Sequence, residues 1–79
     1  MIKVLFFGPV ADRVETREMD IDYTDGMTLH DVTHKVGMLY PGALSIVSFI
    51  AVNQQQVHDK QTVLKDNDEI AFMAKFSGG

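Results

Sequence analysis

Apolar residues follow one another in the first segment of the chain and alternate with polar residues in the second. Residues 2–7 are almost all apolar and end at Gly8, a pattern that predicts a strand covered on both faces. Residues 16–23 alternate apolar and polar side chains, which predicts an antiparallel strand with one face in water. In the first strand, the side chains predicted to face the core are Ile2, Val4 and Phe6.

A helical pattern begins after Thr28. This residue can cap a helix, because Asp31 lies three positions later, where a capping box places its acidic group. Apolar residues then recur at helical spacing until Pro41, which stops the pattern, so the predicted helix runs to about residue 39. The predicted apolar face of this helix consists of Leu29, Val32, Val36, Leu39 and Tyr40.

The second half of the chain predicts three extended segments. Residues 45–52, SIVSFIAV, predict a buried strand, and residues 53–55 a tight turn into a short extended piece near Val57. Residues 66–68 predict another turn, since asparagine tolerates the left-handed conformation. Residues 69–76 predict the last strand. A single helix must then cover one face of one mixed sheet.

This order of elements predicts an α+β fold, a β-grasp (ubiquitin-like) roll whose sheet of four or five strands is covered on one face by one main helix. A ferredoxin-like fold would need a second helix, and residues 54–68 lack helical periodicity. The 79 residues allow one domain, predicted to span residues 1–79 with a flexible C-terminal tail at 75–79.

Composition narrows the classes of partner and site. The net charge is −4 without a cluster of Lys or Arg, so neither nucleic acid nor, given the short apolar runs, a membrane is expected as a partner. The chain has no cysteine, which excludes disulfides, thiolate metal sites and a cysteine nucleophile, and fits a cytoplasmic protein. His30 and His34 resemble a metalloprotease HExxH motif with Asp31 for Glu, but without an evident third ligand we interpret them as solvated helix surface and predict no metal site.

The C-terminal Gly78-Gly79 pair follows directly on an apolar strand. Glycine packs nothing and loses much backbone freedom when it is ordered. The pair is therefore either a loose end or a flexible tip that enters a narrow site. If the chain carries a transferable group, its C-terminal carboxylate is the natural place, since no cysteine side chain is present.

Three segments, MIKVLFFG, AVNQ and DNDEIAFMAKFSGG, resemble the MoaD family, the small sulfur-carrier subunits of molybdopterin synthase, and more loosely the ThiS thiamine sulfur carriers. The resemblance spans the whole chain. It implies that an ATP-dependent enzyme adenylates Gly79, that a sulfur source converts it to a thiocarboxylate, and that the large synthase subunit uses this sulfur to build molybdopterin. It also implies a heterotetramer with that subunit, catalytic residues on the large subunit, and no cofactor bound to this chain, ATP being used by the activating partner.

A partner-binding face is also predicted. The side chains of Leu5, Phe7, Ala71 and Met73 should form an apolar patch on the side of the sheet without the helix, unless long loops cover it. By resemblance, Phe7 and Met73 match positions that dock on the large subunit. The tail residues predicted to follow this patch into the partner are Lys75, Phe76, Ser77, Gly78 and Gly79.

The chain departs from the family at Ala74-Lys75, where relatives commonly carry Pro-Pro, so the tail is expected to be more mobile or to continue the strand. Three alternatives remain at this point: a thiamine-type sulfur carrier, a ubiquitin-like modifier conjugated through Gly79, and a binding module with an inert tail.

Overall fold

Five strands form one mixed sheet, which is crossed on one side by a single long helix. The computed structural model describes residues 1–75. The strands are β1 (Ile2–Phe6), β2 (Glu18–Ile21), β3 (Phe49–Val52), β4 (Gln55–Gln56) and β5 (Glu69–Met73). The helices are α1 (Pro9–Val14), α2 (Leu29–Leu39) and a 3₁₀ helix (Ala43–Ile46).

The sheet has the strand order β2-β1-β5-β3-β4, with β1 and β5 at its centre. Strand β1 pairs antiparallel with β2 and parallel with β5, so that Val4 lies beside Ile70. Strand β5 pairs antiparallel with β3. Parallel neighbours need a long crossover, and the segment containing α2 supplies it. The predicted β-grasp roll is therefore confirmed, with five strands in its sheet.

The core lies between the sheet and α2. The inward side chains of β1 are fully buried, as the alternation predicted, and so are Ile70 and Phe72 of β5. The rings of Phe6 and Phe72 stack with centroids 6.0 Å apart. The helix contributes Leu29, Val32 and Val36, which are also fully buried. Burial of these side chains is the main source of the stability of a domain this small.

The N-terminus of α2 has the predicted capping box. The backbone N–H of Thr28 donates to the Asp31 carboxylate at 2.9 Å, and the Thr28 hydroxyl oxygen accepts from the backbone N–H of Asp31 at 3.3 Å. The bond from the Thr28 backbone favours the ionised carboxylate and lowers the pKa of Asp31. Two N–H groups at the start of the helix are thus satisfied locally.

Helix α1 was not predicted. Gly8 has a φ of 54°, which turns the chain out of β1, and Pro9 occupies the first turn of the helix. The helix buries Val10 and Val14, one turn apart. In the sequence, this helix is signalled only by Pro9 and by the spacing of Val10 and Val14. Two apolar residues are too few to establish a helical period.

Several predicted boundaries were wrong. Strand β2 is shorter than residues 16–23, and Leu39, placed on the apolar face of α2, is half exposed. Residues 45–52 are not one strand, because the 3₁₀ helix occupies the first part and β3 begins only at Phe49. The short extended piece expected near Val57 is strand β4, which lies just before Val57. It directly follows a tight turn in which Asn53 and Gln54 both have positive φ. The predicted turn at residues 66–68 is also confirmed, since Asn67 has a φ of 72°.

None of the helices in residues 1–75 has the length and apolar character needed to span a membrane.

Candidate functional site: an apolar sheet face beside the C-terminal tail

The sheet face opposite α2 carries a continuous row of apolar side chains. In the register of the three central strands, Leu5 lies beside Ala71, and Ala71 lies beside Ala51. One pleat further along, Met73 lies opposite Phe49. Phe7 extends this end of the row, since its N–H donates to the Phe72 carbonyl at 3.1 Å. We call these residues the apolar face: Leu5, Phe7, Phe49, Ala51, Ala71 and Met73.

Two aromatic side chains stand open to solvent on this face. Phe7 is 48% exposed and Phe49 is 39% exposed. A concave space of about 400 Å³ is lined by Phe7, Gly8, Phe49, Met73 and Ala74. Within the described residues, loops therefore do not cover this end of the face. Exposed phenylalanines do not add to the stability of a small domain, so their exposure is consistent with the predicted binding surface.

The structure places the predicted residues Leu5, Phe7, Ala71 and Met73 on this one face. Their role in binding a partner stays a prediction. Sequence reasoning missed Phe49, because it treated residues 45–52 as a strand buried on both faces. The signal for it was alternation, since neighbouring residues of a strand point to opposite faces, and Ile50 is buried while Phe49 is 39% exposed.

The face changes from charged to apolar along β5. At the beginning of the strand, Glu69 pairs in register with Lys3, whose ammonium lies 3.5 Å from the Glu18 carboxylate. At its end lie Met73 and the two exposed phenylalanines. The apolar end is thus the one nearest the C-terminal tail.

Strand β5 ends beside the apolar face. Ser48 donates its backbone N–H to the Met73 carbonyl at 2.9 Å, which fixes the last residue of β5. Ala74 is buried and Lys75 is exposed, and neither belongs to the strand, so the prediction of a strand through residue 76 was wrong. The predicted site residues Phe76, Ser77, Gly78 and Gly79 lie outside the described residues.

The apolar face can take part in hydrophobic contacts but not in acid–base chemistry. The six side chains of the apolar face carry no titratable group, so the face can bury area against a partner but cannot transfer a proton. Within residues 1–75, no group of three or more His, Cys, Asp or Glu side chains is arranged to hold a metal ion.

Known proteins resemble this chain in sequence and in fold. A molybdopterin synthase sulfur carrier subunit of Chlamydomonas reinhardtii is 32% identical over 82 residues, covering 99% of this chain and 98% of that protein. The crystal structure of SAMP1 from Haloferax volcanii has a TM-score of 0.85 at 18% identity and covers 99% of this chain and 98% of its own, which supports the fold.

A second solved structure that resembles this chain is a complex of two proteins. It contains subunits 1 and 2 of the molybdopterin-converting factor of Helicobacter pylori, and the matching chain has a TM-score of 0.71 at 26% identity, with 99% of this chain and 97% of that chain covered. Residues 4–79 of this chain match the ThiS family. The resemblance inferred from the three sequence segments is thereby confirmed, and the chain belongs to the ThiS family of small β-grasp proteins.

Proposed function

We propose that this chain is a sulfur carrier for molybdopterin synthesis, with Gly79 as the carrying residue. The relative in Chlamydomonas reinhardtii is named for that role, and it matches nearly the full length of this chain. The observation that carries the proposal is the position of the apolar face. It presents Phe7, Phe49 and Met73 at the point where β5 ends and the tail towards Gly79 begins.

The number of residues after β5 sets how far the C-terminus can extend from the apolar face. Six residues follow Met73, and an extended chain of that length spans at most roughly 20 Å. A partner that docks on the apolar face would therefore receive the C-terminus within that distance. The last two residues are glycines, which allow the backbone to pass through a channel too narrow for side chains.

The docking partner is the large subunit of molybdopterin synthase in this proposal. Support comes from the Helicobacter pylori complex, in which a similar chain occurs together with a second subunit. The apolar face of this chain would bury Phe7 and Phe49 as aromatic anchors, while the charged end at Glu69 and Lys3 would lie at the rim. Two carriers bound to a dimer of large subunits would give a heterotetramer.

Activation of the carboxylate precedes transfer, because a carboxylate is a poor electrophile. An adenylating enzyme would supply this step. The Gly79 carboxylate attacks the α-phosphate of ATP and pyrophosphate leaves, which gives an acyl adenylate. Hydrosulfide delivered by the sulfur source then attacks the acyl carbon, AMP leaves, and the thiocarboxylate forms without a change in oxidation state. Both enzyme and carrier are placed in the cytoplasm by this proposal. Lys75, Phe76 and Ser77 would contact the partners that receive the tail.

Intact-mass analysis with C-terminal fragmentation tests the proposal. The chain is purified from its own cells, or incubated with ATP, an adenylating enzyme and a sulfur source. We expect one oxygen of the Gly79 carboxylate to be replaced by sulfur, and addition of the large subunit with the pterin precursor to return the carboxylate. Attachment of Gly79 to lysines of other proteins would instead establish a modifier. Transfer to a thiazole precursor alone would establish a thiamine-type carrier.

A further inference from the structure

The outer surface of α2 carries two histidines that the proposed function does not use. His30 and His34 lie four residues apart, so they occupy consecutive turns on one side of the helix. Both side chains are exposed. Their rings are close to parallel, with an interplanar angle of 25° and centroids 6.2 Å apart.

The backbone under this pair is well anchored. The N–H of His30 donates to the Lys60 carbonyl at 2.8 Å, which ties the first turn of α2 to the loop before β5. The adjacent capping box fixes the same turn through Thr28 and Asp31. The two imidazoles therefore project from a rigid element, which lowers the entropic cost of bringing both onto one ligand.

We propose that His30 and His34 chelate a divalent first-row transition metal ion, with water in the remaining coordination positions. Imidazole nitrogen is a favoured ligand of these ions, at roughly 2.0–2.1 Å for zinc. Rotation about the side-chain torsions of two exposed histidines one turn apart can direct one nitrogen from each to a shared ion. The expected order of affinity is highest for Cu²⁺, with Ni²⁺ and Zn²⁺ weaker.

This proposal departs from the expectation, drawn from the sequence, that His30 and His34 are solvated helix surface without a metal site. The site also differs from a metalloprotease centre. Asp31 lies between the histidines in sequence, but its carboxylate accepts from the Thr28 backbone at 2.9 Å and from the Thr28 hydroxyl at 3.2 Å. That carboxylate is engaged in the helix cap, so the chain supplies two ligands here and leaves the ion open to water or to a side chain of another molecule. The helix covers the sheet face opposite the apolar face, and a bound ion would leave the docking surface free.

Titration of the untagged full-length chain with Ni²⁺ tests this site. Calorimetry should give one ion per chain, and the thermal unfolding midpoint should rise with Ni²⁺ concentration. His34→Gln removes one ligand and should weaken binding by roughly tenfold or more, because the chelate is lost. The matched control is His58→Gln, which removes the third, also exposed, histidine and should bind Ni²⁺ like the original chain.

A register variant separates chelation from histidine content. Exchanging two neighbours, His34→Lys with Lys35→His, keeps the composition but moves the second imidazole away from His30 around the helix. This variant should bind as weakly as His34→Gln, while circular dichroism shows an unchanged fold. Equal Ni²⁺ affinity in the original chain and either His34 variant would overturn the proposal, and so would an equal loss of affinity in His58→Gln.

Discussion

Phe49 and Met73 face each other across the antiparallel β3–β5 pair, at the end of the sheet from which the C-terminal tail departs. Phe49 was not identified from sequence, yet its exposure is close to that of Phe7. Both phenylalanines and Met73 line the same concave space. An apolar anchor of a partner would therefore contact side chains of β3, of β5 and of the residue that directly follows β1.

Truncation of either phenylalanine should weaken docking on the large synthase subunit. We expect Phe7→Ala and Phe49→Ala each to lower the affinity by roughly tenfold or more, because each removes an aromatic anchor of the buried contact. The double variant should lose less than the sum of the two free-energy changes, since both rings line one space. Calorimetry with the purified large subunit measures these losses.

Met38→Ala is the matched control for this experiment. Met38 is 70% exposed on α2, on the far side of the sheet from the apolar face, and its truncation should leave the affinity unchanged. An equal loss in Met38→Ala and Phe7→Ala would mean that the apolar face is not the docking surface.

Deletion of Gly79 should separate docking from sulfur transfer. The shortened chain keeps the apolar face and should bind the large subunit with nearly unchanged affinity. Sulfur transfer to the pterin precursor should fall to background, because the reacting carboxylate would end one residue short of its position. Transfer assays with the thiocarboxylated chain measure this, and transfer at the original rate by the deletion variant would refute the carrier mechanism.

Removal of a core ring should cost far more stability than removal of a surface ring. Phe72 is fully buried against Phe6, and Phe72→Ala should lower the free energy of unfolding by about 3–5 kcal/mol through lost burial and a residual cavity. Phe7 is exposed, so Phe7→Ala should lower the free energy of unfolding by much less. Urea unfolding followed by circular dichroism compares the two variants, and similar losses would show that Phe7 belongs to the core.

The capping box should make part of the stability depend on pH. The Thr28 backbone lowers the pKa of Asp31 below its ordinary value, so the folded state favours the ionised carboxylate. Its contribution is fully present above the ordinary value of about 4 and is lost as the pH falls through the lowered value. The N-terminal ammonium lowers the pKa of Asp66 in the same direction through a hydrogen bond.

Two substitutions distinguish these groups. Asp31→Asn and Asp66→Asn should each flatten the fall of the unfolding free energy below about pH 4, and the double variant should flatten it further. At neutral pH, Thr28→Ala should cost about 1 kcal/mol through loss of the cap. Urea unfolding at several pH values provides the measurement, and an unchanged slope in both single variants would contradict the assignment.

The sequence predicted correctly those elements that are determined by residues close together in the chain. The capping pair Thr28 and Asp31 identified the start of α2, and alternation identified which side chains of β1 face the core. The prediction that both faces of β1 are covered was wrong, because on the face away from the core Lys3 is exposed and Leu5 is only partly buried. Helix α1 was missed because it contributes only Val10 and Val14 to the core. Phe49 was missed because its exposure depends on where β3 begins. The start of β3 depends in turn on the preceding 3₁₀ helix, which packs against α1 and α2. Such long-range packing cannot be inferred from the local sequence.

The parallel pairing of β1 with β5 has a consequence during synthesis. The two strands lie at opposite ends of the sequence, so the centre of the sheet cannot close until the ribosome has released Met73. A chain stalled before β5 lacks Ile70 and Phe72 and leaves the buried side of β1 without its neighbour. Such an incomplete chain should expose its core to chaperones and proteases, so that only molecules translated past β5 reach the folded state.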